Sequence, residues 1–364
     1  MIRGVSARSS ASAPKAGSLN ARPGMPVLVQ GSSPVRIRRC DLARLCRMLA
    51  VVWFVVSWGG AGMAGSAAAG ERTRVSLGTA TPGGGFPVYG QAVAETINET
   101  DLSLSVEPRP TKGSAENVPL LEAGQLDLAL VQGESAYEAL NGIGRPRAAL
   151  WILAAMYSTP GMFVVRADSA CRNIDDLKDK PVAFGAAGSG LVILARYILD
   201  GLGLDRDRDF QAIFLERAGD GPKMVMDGRA AALWGGGGGW PGFTAVTQGP
   251  AGARFIVPDA AGIRRILAKH AFLTPMTVPA RSYPGQDVPL TSVGSWSVIL
   301  TRARLPEDLA YRLASALHRG EAVLGRRVPQ GRETTVANTI AAAPHPELIH
   351  PGVRRYLHEI GLLR

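Results

Sequence analysis

The sequence predicts an α/β protein with parallel sheets and two lobes. Short apolar runs alternate with helical patterns from Arg72 onwards, which is typical of parallel strands joined by helices. Glycine-rich loops follow several of these runs, as expected where an open sheet binds a ligand beyond the carboxyl ends of its strands. The 295 residues after position 69 exceed the usual size of a single core, which favours two lobes.

Apolar and β-branched residues predict the strands, and longer amphipathic stretches predict the helices. The predicted strands are 73–78, 102–108, 126–132, 161–166, 181–185, 211–215, 230–235, 254–257 and 293–301, with a further apolar run at 150–156. The predicted helices are 87–98, 115–124, 190–200 and 306–325. Helix 190–200 is expected to stop at Gly201 and Gly203, because glycine is common just after a helix end.

Two strands are expected to connect the lobes. Thr159-Pro160-Gly161 predicts a turn, after which strand 161–166 carries the chain into the second lobe, and strand 293–301 carries it back. The predicted division is a leader at 1–69, a first lobe at 70–162 and 300–364, and a second lobe at 163–299.

The first 69 residues have the pattern of an export leader. Basic residues in 36–47 precede an apolar stretch of eleven residues at 48–58, and small residues then lead to the A-x-A-like Ala67–Ala69. This order is typical of a secretory signal peptide, so the sequence predicts a periplasmic protein cleaved near Ala69. An uncleaved N-terminal anchor is the alternative, although the apolar stretch is short for a membrane span.

Basic charge is concentrated in that leader. The chain has 40 basic and 30 acidic residues; nine of the basic and one of the acidic residues lie in 1–69, which leaves 31 against 29. A net charge of +2 over the rest of the chain argues against nucleic-acid binding. Cys171 is the only cysteine after the leader, so no intrachain disulfide is expected there.

Three glycine-rich loops follow predicted strands. They are 78–86, which contains Gly83, Gly84 and Gly85, then 185–190, and 234–240, with five glycines between two tryptophans. Glycine lets backbone N–H groups approach a ligand, and a helix N-terminus favours negative charge, so the loops predict an anion-binding cleft. Tight turns without a ligand role, and packing roles for the tryptophans, are the alternatives.

Other candidates lie just beyond the strand ends. Gln132 can reach the cleft or satisfy a neighbouring backbone group, and Glu134 can bind an amine or be solvated. Lys112 can form a charge-assisted hydrogen bond with a ligand carboxylate, or be a surface lysine. The complete set of predicted ligand-binding residues is Thr79, Thr81, Gly83, Gly84, Gly85, Phe86, Lys112, Ser114, Gln132, Glu134, Gly188, Ser189, Gly190, Trp234, Gly235 and Gly236.

Catalytic and metal-binding patterns are not found in the sequence. There is no H-E-x-x-H or paired-cysteine motif, and Gly188-Ser189-Gly190 is not a G-x-S-x-G elbow. The first loop lacks the lysine and hydroxyl of a P-loop, which weakens a nucleotide hypothesis. All five histidines fall after residue 269 and are expected at the surface. No catalytic residue, metal or cofactor is therefore predicted.

Four segments resemble the TAXI family of solute receptors from TRAP transporters. They are LGTATPGGGFPVYGQAVAETIN at 77–98, TKGSAENVPLLEAGQLDLALVQGESAYEAL at 111–140, AAMYSTPGMFVVRADSACRNIDDLKDKPVAFGAAGSG at 154–190, and ARSYPGQDVPLTSVGSWSVILTRARLPEDLAYRLASAL at 280–317. The chain departs from the family pattern at Phe86-Pro87, at Lys112 and in the five-glycine loop. These departures put the family's commonest ligand in doubt.

The resemblance implies a fold and a partner. It implies a two-lobed periplasmic binding protein of the type II kind, with two crossover strands that form a hinge. It also implies an extracytoplasmic receptor that closes on a small carboxylate, such as glutamate or a related dicarboxylate. The ligand would pass to the small and large membrane subunits of an ion-driven TRAP transporter.

Three other functions remain open on the sequence. The same fold serves ABC importers of sulfonate- or pyrimidine-type ligands. A ligand-sensing protein that signals to a membrane kinase would be favoured by an uncleaved anchor. An enzyme on this fold would need an acid–base pair in the cleft, and the sequence offers none.

Overall fold

The computed structural model describes residues 71–363, so the predicted leader and its cleavage near Ala69 lie outside the described residues. The strands are β1 (Thr73–Gly78), β2 (Leu104–Arg109), β3 (Leu128–Val131), β4 (Trp151–Arg166), β5 (Pro181–Ala186), β6 (Gln211–Leu215), β7 (Ala232–Gly236), β8 (Ala253–Ile256), β9 (Thr274–Val278) and β10 (Leu290–Thr301). The α-helices are α1 (Gly85–Thr100), α2 (Ser114–Glu122), α3 (Gly133–Asn141), α4 (Gly190–Leu202), α5 (Gly221–Met226), α6 (Pro241–Thr247), α7 (Ala260–Lys269), α8 (Glu307–Arg319), α9 (Glu321–Arg327), α10 (Val336–Ala342) and α11 (Pro351–Glu359).

The strands form one continuous sheet in the order β2-β1-β3-β10-β4-β7-β5-β6, with β8 paired to β4 and β9 paired to β10. Strand β1 is parallel to β2 and β3, and β5 is parallel to β6 and β7, as the alternation of strands and helices predicts. The prediction of parallel sheets is wrong for the middle, where β4 and β10 run antiparallel to each other and to their neighbours.

Strands β4 and β10 cross from one half of the sheet to the other. The turn predicted at Thr159-Pro160-Gly161 is absent, because β4 continues through these residues and exchanges partners there. Pro160 pairs with Gly294 of β10, whereas Gly161 pairs with Gly236 of β7. The crossing strands approach so closely that a Cβ at Gly294 would lie 2.0 Å from the carbonyl oxygen of Thr159.

Each half of the sheet carries its own core, and we call the two halves the first and second lobes. The first lobe contains β1–β3, α1–α3 and α8–α11, and buries Val75, Leu128 and Leu313 among others. The second lobe contains β5–β8 and α4–α7 and is built around residues such as Phe184 and Trp234. This is the mixed α/β, two-lobed fold that the sequence predicts.

Several helices were not predicted from the sequence, among them α3, α6, α10 and α11. The predicted helix 306–325 is divided at Gly320 into α8 and α9. A Cβ at Gly320 would lie 2.4 Å from Cγ2 of Thr96 in α1, so contact with α1 requires a glycine there. Within residues 71–363, none of the helices is both long enough and apolar enough to span a bilayer.

Candidate ligand-binding site

A cavity of about 580 Å³, counted with its opening to solvent, lies between the two lobes. A concave site lined by both lobes of a protein is a common place for a small ligand. The first lobe and the crossing strand β4 contribute Ala80, Thr81, Gly84, Gly85, Phe86, Lys112, Gly113, Ser114, Gln132, Tyr157 and Thr159 to its wall. The second lobe contributes Gly185, Ala186, Ser189, Gly190, Leu191, Ala218, Gly236 and Trp240.

Four helices of nine residues or more begin at this cavity. They are α1, α2 and α3 from the first lobe and α4 from the second. No side chain caps α1, α2 or α3, although in α2 the N–H of Ala115 is already taken by the carbonyl of Gly188. In α4 the hydroxyl of Ser189 accepts from the N–H of Leu191. Because each helix N-terminus carries partial positive charge, the four together favour an anion.

Most of the predicted residues lie on the wall of the cavity. The structure places Thr81, Gly84, Gly85, Phe86, Lys112, Ser114, Gln132, Ser189, Gly190 and Gly236 there. They come from all three glycine-rich loops and from the two strand ends that the sequence singled out. The assignment of these residues to ligand binding stays a prediction.

Gly83 and Gly188 instead hold the lobes together beside the cavity. A Cβ at Gly83 would lie 2.5 Å from the nitrogen of Gly219, and one at Gly188 would lie 2.6 Å from the carbonyl oxygen of Lys112. The N–H of Ala115 donates to the Gly188 carbonyl at 3.2 Å. These contacts between lobes define a closed cleft.

Thr79, Trp234 and Gly235 lie outside the cavity wall because the fold uses them elsewhere. The Thr79 hydroxyl donates to the carbonyl of Arg109 across the sheet. Trp234 packs against Phe163 with ring centroids 4.7 Å apart. Its neighbour Gly235 leaves room for the ring of Trp240, whose Cζ3 would lie 2.6 Å from an added Cβ.

Glu134 is also placed behind the wall rather than on it. Its side chain is fully buried, and Oε1 accepts from the Ser295 hydroxyl of β10 at 2.6 Å, while Oε2 has no partner among the described residues. Burial raises the pKa of Glu134 to about 7, although the hydrogen bond from Ser295 acts in the opposite direction. The carboxyl group therefore links the start of α3 to a crossing strand.

Gln132 presents an unused donor at the wall. Its N–H donates to the Ser114 hydroxyl at 3.0 Å, and its side-chain oxygen accepts from Ser297 at 3.4 Å. The side-chain nitrogen is buried and makes no hydrogen bond of adequate geometry with the described residues. An unsatisfied buried donor is costly, which favours a ligand atom that accepts from it.

Sequence reasoning missed Tyr157, Thr159 and Trp240. Tyr157 and Thr159 lie on β4 just before Pro160, and the predicted turn there hid their position on the wall. Trp240 closes the third glycine loop and begins α6, so its place in that loop was the available signal. Burial raises the pKa of Tyr157 far above its ordinary value, which keeps its phenol protonated.

One histidine departs from the expected surface position. His350 is 2% exposed, and its Nδ1 accepts from the N–H of Gly352 at the start of α11. Burial lowers its pKa, so it serves as a neutral helix cap. Across residues 71–363, no group of three or more His, Cys, Asp or Glu side chains could hold a metal ion.

The fold and the cavity between its lobes define a solute-binding protein of the periplasmic type. A model described as the NMT1-like family matches residues 77–361, and the chain belongs to that family. The match covers both lobes and every residue of the cavity wall. It does not confirm the TAXI subfamily.

Two solved structures with a TM-score above 0.5 agree with this fold. MatC from Rhodopseudomonas palustris, solved with bound malate, is 14% identical over 78% of this chain and 98% of its own, with a TM-score of 0.52. A protein of Bordetella bronchiseptica RB50 is 13% identical over 79% of this chain and 98% of its own, also with a TM-score of 0.52. The alkanesulfonate-binding protein SsuA from Xanthomonas axonopodis pv. citri, bound to MOPS, is 16% identical over 81% and 95%, with a TM-score of 0.44.

Proposed function

We propose that this protein is an extracytoplasmic receptor that captures a small organic anion by closure of its two lobes and delivers it to a membrane importer. The convergence of four helix N-termini on one cavity carries this proposal. Lys112 at the rim adds a full positive charge, and the Gln132 amide adds a buried donor. The export pattern of residues 36–69 supports a periplasmic location.

Closure requires a hinge, and the two crossing strands supply the place for it. We keep the lobe boundaries at 162/163 and 299/300 as part of the proposal. Strand β4 supports the first boundary, because it pairs with β10 up to Pro160 and with β7 and β8 of the second lobe from Gly161 onwards. Bending within β4 and β10 would open the cavity without disturbing either core.

The importer that receives the ligand is either an ABC importer or a TRAP carrier. The family match and the fold suit an ABC importer at least as well as a TRAP carrier. The TRAP alternative depends on the resemblance of the four segments quoted above. Ligand uptake by cells that carry the complete transporter separates the two: vanadate abolishes uptake driven by an ATPase, whereas an ionophore that dissipates the ion gradient abolishes uptake by a TRAP carrier.

A thermal-shift screen tests receptor function. The purified protein is heated with carboxylates, sulfonates, amino acids and neutral sugars, because a ligand that binds only the folded state raises Tm by mass action. At a ligand concentration of 100 Kd, stabilisation of about 2.7 kcal/mol corresponds to roughly 5 °C for a chain of this size. A shift with an organic anion is expected. A shift with neutral sugars alone would contradict the anion proposal.

Native mass spectrometry is the control for a site that is already filled on purification. A bound anion would explain a screen in which no added ligand changes Tm. The screen would then be repeated after the protein has been unfolded and refolded. If no ligand shifts the Tm of protein that is shown to be ligand-free, receptor function is contradicted.

A further inference from the structure

We propose that the cavity selects a carboxylate with an apolar body and no ammonium group, and so discriminates against amino acids. This inference deepens the proposed function and rests on it. Its basis is the hydrogen-bonding character of the wall, which is rich in donors and has no negative charge among its described residues.

The hydroxyl groups on the wall are set to donate. Three of them already accept from backbone N–H groups: Thr81 from Ala218 at 3.3 Å, Ser114 from Gln132 at 3.0 Å, and Ser189 from Leu191 at 3.3 Å. A hydroxyl that accepts from the protein keeps its own proton for a ligand. Each of the three therefore seeks an acceptor in the cavity.

Other polar groups on the wall also donate. The indole N–H of Trp240 and the ammonium of Lys112 can only donate. The Gln132 side-chain nitrogen has no hydrogen-bond partner among the described residues, and the oxygen of the same amide accepts from Ser297 at 3.4 Å. A carboxylate offers about four acceptor sites and no donor, which complements this arrangement.

An ammonium group would meet no counter-charge. None of the described residues on the wall is acidic. Two carboxylates lie behind the wall: Glu134 accepts from the Ser295 hydroxyl at 2.6 Å through Oε1, and Glu333 accepts from the N–H of Ser158 at 3.0 Å. Removing an ammonium from water without a paired carboxylate is strongly unfavourable, so the amino group of a zwitterion opposes binding.

A third carboxylate near the rim is engaged as well. Glu116 accepts from the backbone N–H of Lys112 and so belongs to the first turn of α2. It is absent from the cavity wall. The rim therefore presents the ammonium of Lys112 to an incoming ligand, and this favours an anion over a zwitterion.

The rest of the wall is apolar and accounts for the body of the ligand. Phe86, Tyr157 and Trp240 supply three aromatic rings, and Leu191 adds an aliphatic side chain. Aromatic and aliphatic walls gain from the burial of hydrocarbon, at roughly 25 cal/mol for each Å². A straight-chain or aryl-substituted acid suits this surface better than a compact polar anion.

Matched ligand pairs that differ only in the ammonium group test the inference. The pairs are L-glutamate with glutarate, L-norleucine with hexanoate, and L-phenylalanine with 3-phenylpropanoate, each titrated calorimetrically into the purified protein. We expect a deaminated acid to bind and its amino partner to bind at least about 100-fold more weakly, since an unpaired buried charge is so costly. An amino acid that binds as tightly as its deaminated partner would overturn the inference and leave the receptor proposal intact.

The variant Gln132→Glu tests the cause of the discrimination. It replaces the free amide donor by a carboxylate of nearly the same shape, so the preference for the deaminated acid should shrink at least tenfold. An unchanged preference in a variant with native circular dichroism would overturn the role given to Gln132. The wild-type comparison remains decisive if this variant does not fold.

The two proposals fail differently. If no pair binds but a sulfonate shifts Tm in the screen, the carboxylate class is wrong and the receptor proposal stands. If neither assay detects any ligand with protein shown to be ligand-free, both proposals are wrong.

Discussion

Replacing Gly190 by alanine tests whether the lobes must meet for a ligand to be held. Gly190 is the first residue of α4 in the second lobe. The nearest neighbours of an added Cβ all belong to the first lobe: Cβ of Gln132 at 2.2 Å, Cγ of Gln132 at 2.9 Å, and the Ser114 hydroxyl at 2.9 Å. The added methyl group therefore opposes closure and leaves the second lobe itself undisturbed.

The size of the effect follows from these distances. Carbon atoms in contact lie about 3.5–4.0 Å apart, so the lobes must separate by more than 1 Å at this point. Overpacking of this kind costs about 1–3 kcal/mol, which corresponds to binding weakened roughly 5- to 150-fold. The open form should not be destabilised, because alanine is favoured over glycine in a helix by up to about 1 kcal/mol.

The assay combines titration calorimetry with small-angle X-ray scattering. Calorimetry uses the carboxylate that gives the largest thermal shift, and scattering compares the radius of gyration with and without it. The matched control is Gly238→Ala, because a Cβ at Gly238 has no neighbour within 4 Å. The control should bind and contract like the wild type, whereas Gly190→Ala should bind weakly and contract less.

One result would refute this reasoning. If Gly190→Ala binds with wild-type affinity and contracts as fully as the wild type, closure does not need the contact between α4 and the start of α3. The cavity described between the lobes would then not be the ligand-bound arrangement.

Three further predictions concern single charges. Glu134→Gln should flatten the pH dependence of stability. Because the folded pKa of Glu134 is near 7, the free energy of unfolding of the wild type should fall by roughly 3 kcal/mol as the pH rises from about 4.5 to 7. Calorimetric Tm values of both proteins at pH 5 and 8 measure the difference. An identical slope for the two proteins would contradict this. Burial alone would raise the pKa of Asp127, but hydrogen bonds from Ser76 and Arg302 outweigh it and lower the pKa. Asp127→Asn should thus lower the free energy of unfolding by about 1 kcal/mol at pH 7, after allowance for solvent screening, and by less as the pH falls towards 3. Urea unfolding that shows an equal loss at pH 7 and pH 3 would exclude these hydrogen bonds as the cause. Lys112→Met should weaken anion binding about two- to fivefold at low salt and less at high salt. If salt leaves the affinity of both proteins unchanged, Lys112 does not contribute to ligand binding.

The alternation of strands and helices, and the three glycine loops that end the strands, are local patterns. They predicted the α/β class, most strand positions and the side of the sheet on which the cavity lies. The helix N-termini follow from the same loops, because a strand, a glycine turn and a helix are consecutive in the chain. Ten of the sixteen predicted binding residues lie on the cavity wall for this reason.

Other features depend on residues that are far apart in sequence. Pro160 favours a turn locally, but pairing with Gly294, Gly236 and their neighbours keeps β4 extended. Trp234 and Trp240 flank the same five glycines, yet only Trp240 reaches the cavity. The packing of Trp234 against Phe163 decides this, and no local pattern encodes it.

The environment of Glu134 shows the same division. Its position just beyond a strand end is readable from the sequence, and so is its capacity to carry a negative charge. Whether that charge meets a ligand, water or the protein depends on Ser295, 161 residues away, and on complete burial. Local sequence thus specified which elements form and where the glycine-rich loops begin. Only the tertiary structure decided which side chains face the cavity, because burial and strand pairing depend on contacts between residues that are far apart in the chain.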